Sequence, residues 1–309
     1  MHLHDEDHDL GLLHDLSMMN AMVQRRRALK WFAGAGTMAF VAGCGGSESD
    51  SSGITVVDST SVTPTPTPTP TPAATATSTP TPTPTSSVTT ACIADPTETN
   101  GPYPADGTNS SSGLTSNALT ATGVVRSDIR SSFLGSSSST AAGVTMTLTI
   151  TVVNVNATCA PLAGFAVYIW MCDARGRYSL YDLPNESYLR GMQVTDANGQ
   201  VTFTAIVPGC YAGRFPHIHF EVFSSLSTAT SGRYASLISQ FAIPTAVCSA
   251  VYADTTNYPA SASNFARVSI SSDNVFGDNS AAQVAQQTLT TAGSAAAGYA
   301  ASVIVGLAR

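Results

Sequence analysis

The stretch Pro208-Gly209-Cys210-Tyr211-Ala212-Gly213-Arg214-Phe215-Pro216-His217-Ile218-His219-Phe220-Glu221-Val222-Phe223 joins a Gly/Pro-rich loop to a run in which polar and apolar residues alternate. Alternation with period two marks a strand with two different faces. Moving outward, Val144–Val153, Ala166–Met171, Val201–Val207, Leu237–Ile243 and Ala300–Leu307 are further runs with strand character. Asp196-Ala197-Asn198-Gly199 is a hairpin turn signal ahead of Val201. Turns rich in Gly, Pro and Asn separate the runs, and only Ser280–Thr290 reads as a short helix. Several short strands with this punctuation predict an all-β domain, a sandwich or barrel.

The ends of the chain read differently. Arg25-Arg26-Arg27 precede Ala28-Leu29-Lys30, and a modest apolar stretch runs from Trp31 to Gly43. A charged segment followed by an apolar one of this length is the pattern of an export signal. The arginines resemble a twin-arginine signal, and Val41-Ala42-Gly43-Cys44 resembles a bacterial lipobox, which would make Cys44 the lipidated residue of an exported cell-envelope protein. His2, His4, His8 and His14 fall in the segment that such processing removes. Residues 44–90 are rich in Thr, Pro and Ser and include a Thr-Pro repeat from Thr63 to Pro72. Such a composition packs no core and forms an extended stalk. The expected organisation is therefore 1–43 signal, 44–90 linker and 91–309 folded domain.

The 309 residues are 43% hydrophobic and only 11% charged, with a formal net charge of −7. Beyond residue 43, nine Arg face fifteen Asp and Glu, a balance of −6. Phosphate binding needs clustered Lys and Arg, so this balance argues against a nucleic-acid partner. Beyond Cys44 come Cys92, Cys159, Cys172, Cys210 and Cys248. Five is odd, so at most two disulfides form, and spacing does not tell which. The sequence likewise says nothing of oligomeric state.

His217 and His219 are the only histidines after His14. Side chains at i and i+2 of a strand share a face, roughly 6.5–7 Å apart along the chain, so two imidazoles there can grip one metal ion. The preceding loop delivers Tyr211 and Arg214 beside them.

At this point the sequence resembles the intradiol ring-cleavage dioxygenases of the protocatechuate 3,4-dioxygenase type and their exported relatives. The likeness rests on Pro208 to Val222 and on Pro161-Leu162-Ala163-Gly164 through Tyr178. Thr97-Glu98, Gly101-Pro102-Tyr103, Leu189-Arg190-Gly191 and Thr195 to Gly199 also carry it, in order, over roughly residues 91–250. It implies a β-sandwich of mostly antiparallel strands with Greek-key-like connections. It implies that Tyr178, Tyr211, His217 and His219 ligate Fe(III), with two phenolates offsetting the charge of a hard ion. It further implies a catechol-type substrate and O2, with cleavage between the two hydroxyl-bearing carbons to a cis,cis-muconate-type diacid. Tyr211 would take a substrate proton. Arg214 would stabilise negative charge on the ring, and Gln240 would line the pocket. Cys210 stands where relatives often carry a bulky residue, so it would widen the pocket or join a disulfide. The last 50 residues match nothing in that pattern.

Two other readings use the same residues. His217, His219 and Glu221 could form a two-His-one-carboxylate site of cupin type. A non-catalytic, transthyretin-like lipoprotein would bind a partner or a small aromatic without chemistry.

Overall fold

The computed structural model describes residues 93–309. The stretch expected to be an export signal, Cys44, the Thr/Pro-rich stretch expected to be a linker, and Cys92 lie outside the described residues. Among the described residues there are nine strands: β1 (Thr145–Asn154), β2 (Ala160–Pro161), β3 (Ala166–Trp170), β4 (Arg190–Val194), β5 (Gln200–Ile206), β6 (His217–Phe223), β7 (Leu237–Ala242), β8 (Thr290–Ser294) and β9 (Gly298–Leu307). Three short helices follow β7: α1 (Thr245–Val251), α2 (Ser261–Phe265) and α3 (Ala281–Gln287). No helix among the described residues is long and apolar enough to cross a membrane.

The strands form two sheets. In the first, β1 pairs antiparallel with β5 along residues 145–151 and with β2 at its last two residues. Its other edge runs parallel to β9, which pairs antiparallel with β8. The second sheet has the order β4-β3-β6-β7 and is antiparallel throughout.

In β1, Met146, Leu148, Ile150 and Val152 are buried while the threonines between them are half-buried or exposed. That alternation gives a half-buried sheet. Strand β6 is different, because all seven of its residues are buried. Ile218, Phe220 and Val222 join Met146, Leu148, Phe203 and Val303 in one apolar cluster that draws on both sheets. The opposite face of β6, with His217, His219 and Glu221, is covered by the chain preceding β1 and by the loop after β3. Ala105, Leu119 and Val124 pack there with Tyr168, Trp170, Tyr178 and Phe223. A polar face is therefore buried, which burial permits only where the groups find partners or ligands.

Several sequence expectations need correcting. Asp196–Gly199 is a tight turn, closed by Gly199 N donating to Asp196 O at 3.0 Å. It does not make a hairpin, because β4 before it belongs to the second sheet and β5 after it to the first. Strands β2, β4 and β8 carry no period-two signal: β2 has two residues, β4 holds Arg190 and Gly191, and β8 is mostly small and exposed. Helices α1 and α2 were not expected, while α3 falls within Ser280–Thr290. Cys159 is disulfide-bonded, whereas Cys172, Cys210 and Cys248 are free and buried, so Cys210 joins no disulfide.

Candidate metal centre

Two loops and one strand bring four rings together. The first loop follows β3. Asp173 accepts hydrogen bonds from the backbone of Arg175 at 2.9 Å and of Arg177 at 3.0 Å, and forms an ion pair with Arg177 at 2.6 Å. This fixes the turn that presents Tyr178, whose N–H donates to Asp182 at 3.0 Å. Leu180 and Leu189, farther along, have φ of 66° and 56°. That conformation costs a non-glycine residue about 1–3 kcal/mol and persists only where the surroundings enforce it.

The second loop, Pro208 to Pro216, presents Tyr211. Gly209 N donates to Asp173 O at 3.2 Å, which ties the two loops together. A Cβ on Gly209 would stand 2.5 Å from Ala174 O. Gly176 has φ of 75°, and its Cβ would meet that of Tyr211 at 3.0 Å. Both glycines are needed so that the loops can approach.

Strand β6 supplies His217 and His219, and β3 supplies Trp170, whose ring stacks on His219 at 4.8 Å with 5° between planes. The four rings close a circuit. Tyr178 lies 5.9 Å from Tyr211, Tyr211 lies 5.7 Å from His217, His217 lies 4.7 Å from His219, and His219 lies 6.1 Å from Tyr178.

Their polar atoms converge. Tyr211 Oη is 3.2 Å from His217 Nε2, and that nitrogen is 3.1 Å from His219 Nε2. His217 Nδ1 lies 2.5 Å from Phe215 O, so the proton belongs on Nδ1 and Nε2 carries the lone pair. Tyr178 Oη is buried without a well-formed hydrogen bond. Burial first, then neighbouring Tyr211, pushes its pKa well above the ordinary value. Burial first, then other positive groups including Arg214, holds both imidazoles well below theirs, so they are neutral at pH 7.

This donor set fits a metal ion. Two donors about 2.0–2.1 Å from one ion and about 90–100° apart lie about 3 Å from each other. The measured separations of 3.1 and 3.2 Å match that spacing. Tyr178 Oη, buried without a well-formed hydrogen bond, is a further oxygen donor that a metal would satisfy. Among the described residues, no group of three His, Cys, Asp or Glu is placed to hold a metal. The four donors here are two imidazoles and two phenols.

Glu221 does not join them. It lies fully buried against Asp106, and burial first, then that neighbour, pushes its carboxyl well above the carboxylate range. His217, His219 and Glu221 therefore do not form a three-residue metal-holding group among the described residues, and the geometry favours the four rings.

Arg214 and Gln240 meet beside the rings. Arg214 Nη2 donates to Gln240 Oε1 at 2.7 Å, and Gln240 Nε2 donates to Thr99 O at 2.9 Å. Arg214 Nε is 3.0 Å from Asp273 Oδ2, an ion pair whose side chains are 2% and 0% exposed. The sequence reading missed Asp273, which follows a serine-rich run with no periodicity. It also missed the C-terminal groups that hold the Tyr211 loop. Tyr252 Oη donates to Pro208 O at 2.9 Å, Cys210 N donates to Ser261 Oγ at 3.0 Å, and Asn264 Nδ2 donates to Cys210 O at 2.8 Å.

Residues 124–230 match the family model described as Dioxygenase. The matched stretch spans β1 to β6, with Tyr178, Tyr211, Arg214, His217 and His219, and Gln240 lies beyond it. Among solved structures, the chain is similar to an intradiol ring-cleavage dioxygenase from Tetranychus urticae, at 23% identity and a TM-score of 0.47, over 60% of this chain and 87% of that one. It is similar to the dioxygenase domain of a dioxygenase carbohydrate-binding protein fusion from Streptomyces sp. SirexAA-E, at 21% identity and a TM-score of 0.41, over 70% and 99%. It is also similar to catechol 1,2-dioxygenase from Acinetobacter sp. ADP1, at 17% identity and a TM-score of 0.37, over 60% and 59%. No curated protein matches the chain. The match to that family model, over residues 124–230, agrees with the dioxygenase likeness read from the motifs.

Proposed function

We propose that this chain is a non-haem Fe(III) dioxygenase that opens a catechol-type ring between its two hydroxyl-bearing carbons. Tyr178, Tyr211, His217 and His219 hold the ion. The observation that carries this reading is the convergence of two phenols and two neutral imidazoles, with Tyr178 Oη buried and lacking a well-formed hydrogen bond. We read the two sheets as a β-sandwich of the intradiol type with Greek-key-like connections.

When bound, a ferric ion would supply Lewis acidity toward the catechol oxygens and the electron-accepting character that lets the ring react with O2. The remaining work falls to the chain. Neutral imidazoles are ready to ligate without losing a proton. The tyrosines must each release one, and the bound charge favours that release. Tyr211 Oη, close to His217, receives a proton from the incoming catechol. The Arg214 guanidinium, held by Gln240, stabilises negative charge developing on the ring. Trp170 stacked on His219 fixes the plane of that imidazole. The stoichiometry closes without a reductant, because a catechol and one O2 together have the composition of the diacid.

Residues 1–43, in this reading, export the protein, and Cys44 anchors it to the cell envelope with residues 44–90 as a stalk. Cys44→Ala should release it from membranes, and continued membrane association would refute the anchor.

The experiment for the site is a visible spectrum of the iron-loaded protein before and after addition of catechol without air. A tyrosinate-to-iron charge-transfer band that shifts with catechol is expected. A protein that binds metal stoichiometrically yet stays colourless would overturn the ligand set.

A further inference from the structure

We propose that Asp273, from the C-terminal segment that carries no recognisable motif, is the positioning residue of Arg214. It fixes the guanidinium in the orientation in which it serves the ring cluster. Its bearing on turnover rests on the ring-cleavage reading above, while its hold on Arg214 does not.

The geometry is unusually constrained for a single carboxylate. Oδ2 accepts from Arg214 Nε at 3.0 Å and from Phe215 N at 2.7 Å. Oδ1 accepts from Arg214 Nη2 at 3.3 Å, from Val275 N at 2.9 Å and from Phe276 N at 3.2 Å. Backbone amides thus pin both oxygens, and the carboxylate cannot turn to follow the arginine. The guanidinium must come to the carboxylate. A planar fork bound on one edge by a fixed carboxylate has one orientation left. Gln240 Oε1 takes Nη2 from another direction at 2.7 Å, and Gln240 is itself tied to Thr99 O. Arg214 is held between the end of the domain and its beginning.

Asp273 also compensates the charge. Both partners are almost wholly buried, and a buried guanidinium that lost its carboxylate would be left unpaired. Because Phe215 N donates to Asp273 and Phe215 O faces His217 Nδ1, the same carboxylate grips the backbone next to a metal-centre imidazole.

The discriminating substitution is Asp273→Asn in the full-length, iron-loaded protein. The amide keeps the shape and replaces one acceptor by a donor, yet every group facing it is an N–H. Arg214 is then released. Two readouts are needed. The first is the Arg214 Nε–H resonance in an 15N–1H spectrum of the protein loaded with diamagnetic Ga(III) in place of iron, identified by its loss in Arg214→Lys. Its exchange with water should be slow in the parent and accelerate on the order of tenfold or more in Asp273→Asn as the fixed hydrogen bond is lost. The second is steady-state cleavage of catechol. A fall in kcat per bound iron on the order of tenfold or more is expected, with KM unchanged; iron content is read separately, because Phe215 N also donates to this carboxylate. In an Arg214→Ala background, Asp273→Asn should cost nothing further in kcat per bound iron, since its effect on turnover acts through that arginine.

Unchanged Nε–H exchange would overturn the proposal, as would unchanged kcat in an active enzyme or an equal loss of kcat in both backgrounds. Should the parent not cleave catechol at all, the ring-cleavage reading fails, and the exchange measurement still decides the hold on Arg214. If Asp273→Asn does not fold, Asp273→Glu keeps the charge and moves it by one methylene. It should lower kcat while the iron colour persists, and an undiminished kcat would again refute the assignment.

Discussion

Between Asp173 and His219, the residues that face the site announce themselves by type: two tyrosines on glycine-bearing loops and two histidines alternating on a strand. Between Tyr252 and Gln287, the residues that support it are ordinary. Tyr252, Ser261, Asn264 and Asp273 hold the Tyr211 loop and Arg214, and Asn279 and Gln287 hold Glu98. On the proposed ligand set, the first region provides donor atoms, whose chemistry demands particular residue types. The second provides orientation, which any well-placed hydroxyl, amide or carboxylate can supply. Function that lies in chemistry is visible in sequence, and function that lies in placement waits for the fold.

The largest effects should come from the first region. Tyr178→Phe or His219→Ala should weaken iron binding by more than about 100-fold, because each removes a direct donor where even indirect supports are worth about 10–100-fold. The metal-free Tyr178→Phe protein should be at least as stable as the metal-free parent, since the substitution deletes a buried hydroxyl with no well-formed hydrogen bond. Iron titration and thermal unfolding of the stripped proteins check both halves. Full iron retention would break the division between the regions.

An intermediate effect should come from the second region. Burial pushes the Glu98 carboxyl from 4.5 up to about 7, against hydrogen bonds from Asn279 and Gln287. Between those two values the folded protein holds a proton that the unfolded chain has lost. Stability should therefore be greatest below about pH 4.5 with respect to this group, fall as pH rises to about 7, and level off above it. Glu98→Gln should remove the part of the slope between about pH 6 and 7 and raise the melting temperature on the order of 5 °C at pH 8 and hardly at all at pH 4.5, while Asp95, which burial pushes up to about 6, keeps its own slope below that. A slope above about pH 6 that survives the substitution would place the proton elsewhere.

The smallest effect should be that of Glu221→Gln. With its carboxyl held protonated by burial and by Asp106, the amide is a close replacement, so iron content and turnover at pH 7 should stay within about twofold. Loss of the metal would restore the His-His-Glu reading.

What could be read in advance follows the same line. β1, β3, β5, β6, β7 and β9 were legible because their residues are β-branched or alternate with a buried face. β4 was not, since it opens with Arg190 and Gly191, and Arg190 is wholly buried on hydrogen bonds to Ser179, Tyr168 and Pro104 O that no local pattern foretells. The Asp196–Gly199 turn was legible as a turn, yet which sheet each flanking strand joins depends on β1 and β3. His217 and His219 stood out by their scarcity. Asp273 is one acid among several, and its meaning rests on Arg214, 59 residues away.

The most direct test of the account is the product formed from catechol by the iron-loaded protein under isotopically labelled O2, analysed by mass. The account predicts one ring-opened cis,cis-muconate-type diacid per O2 consumed, cleaved between the hydroxyl-bearing carbons and carrying both labelled atoms. Cleavage at a neighbouring bond, or a product that takes no label from O2, would contradict it.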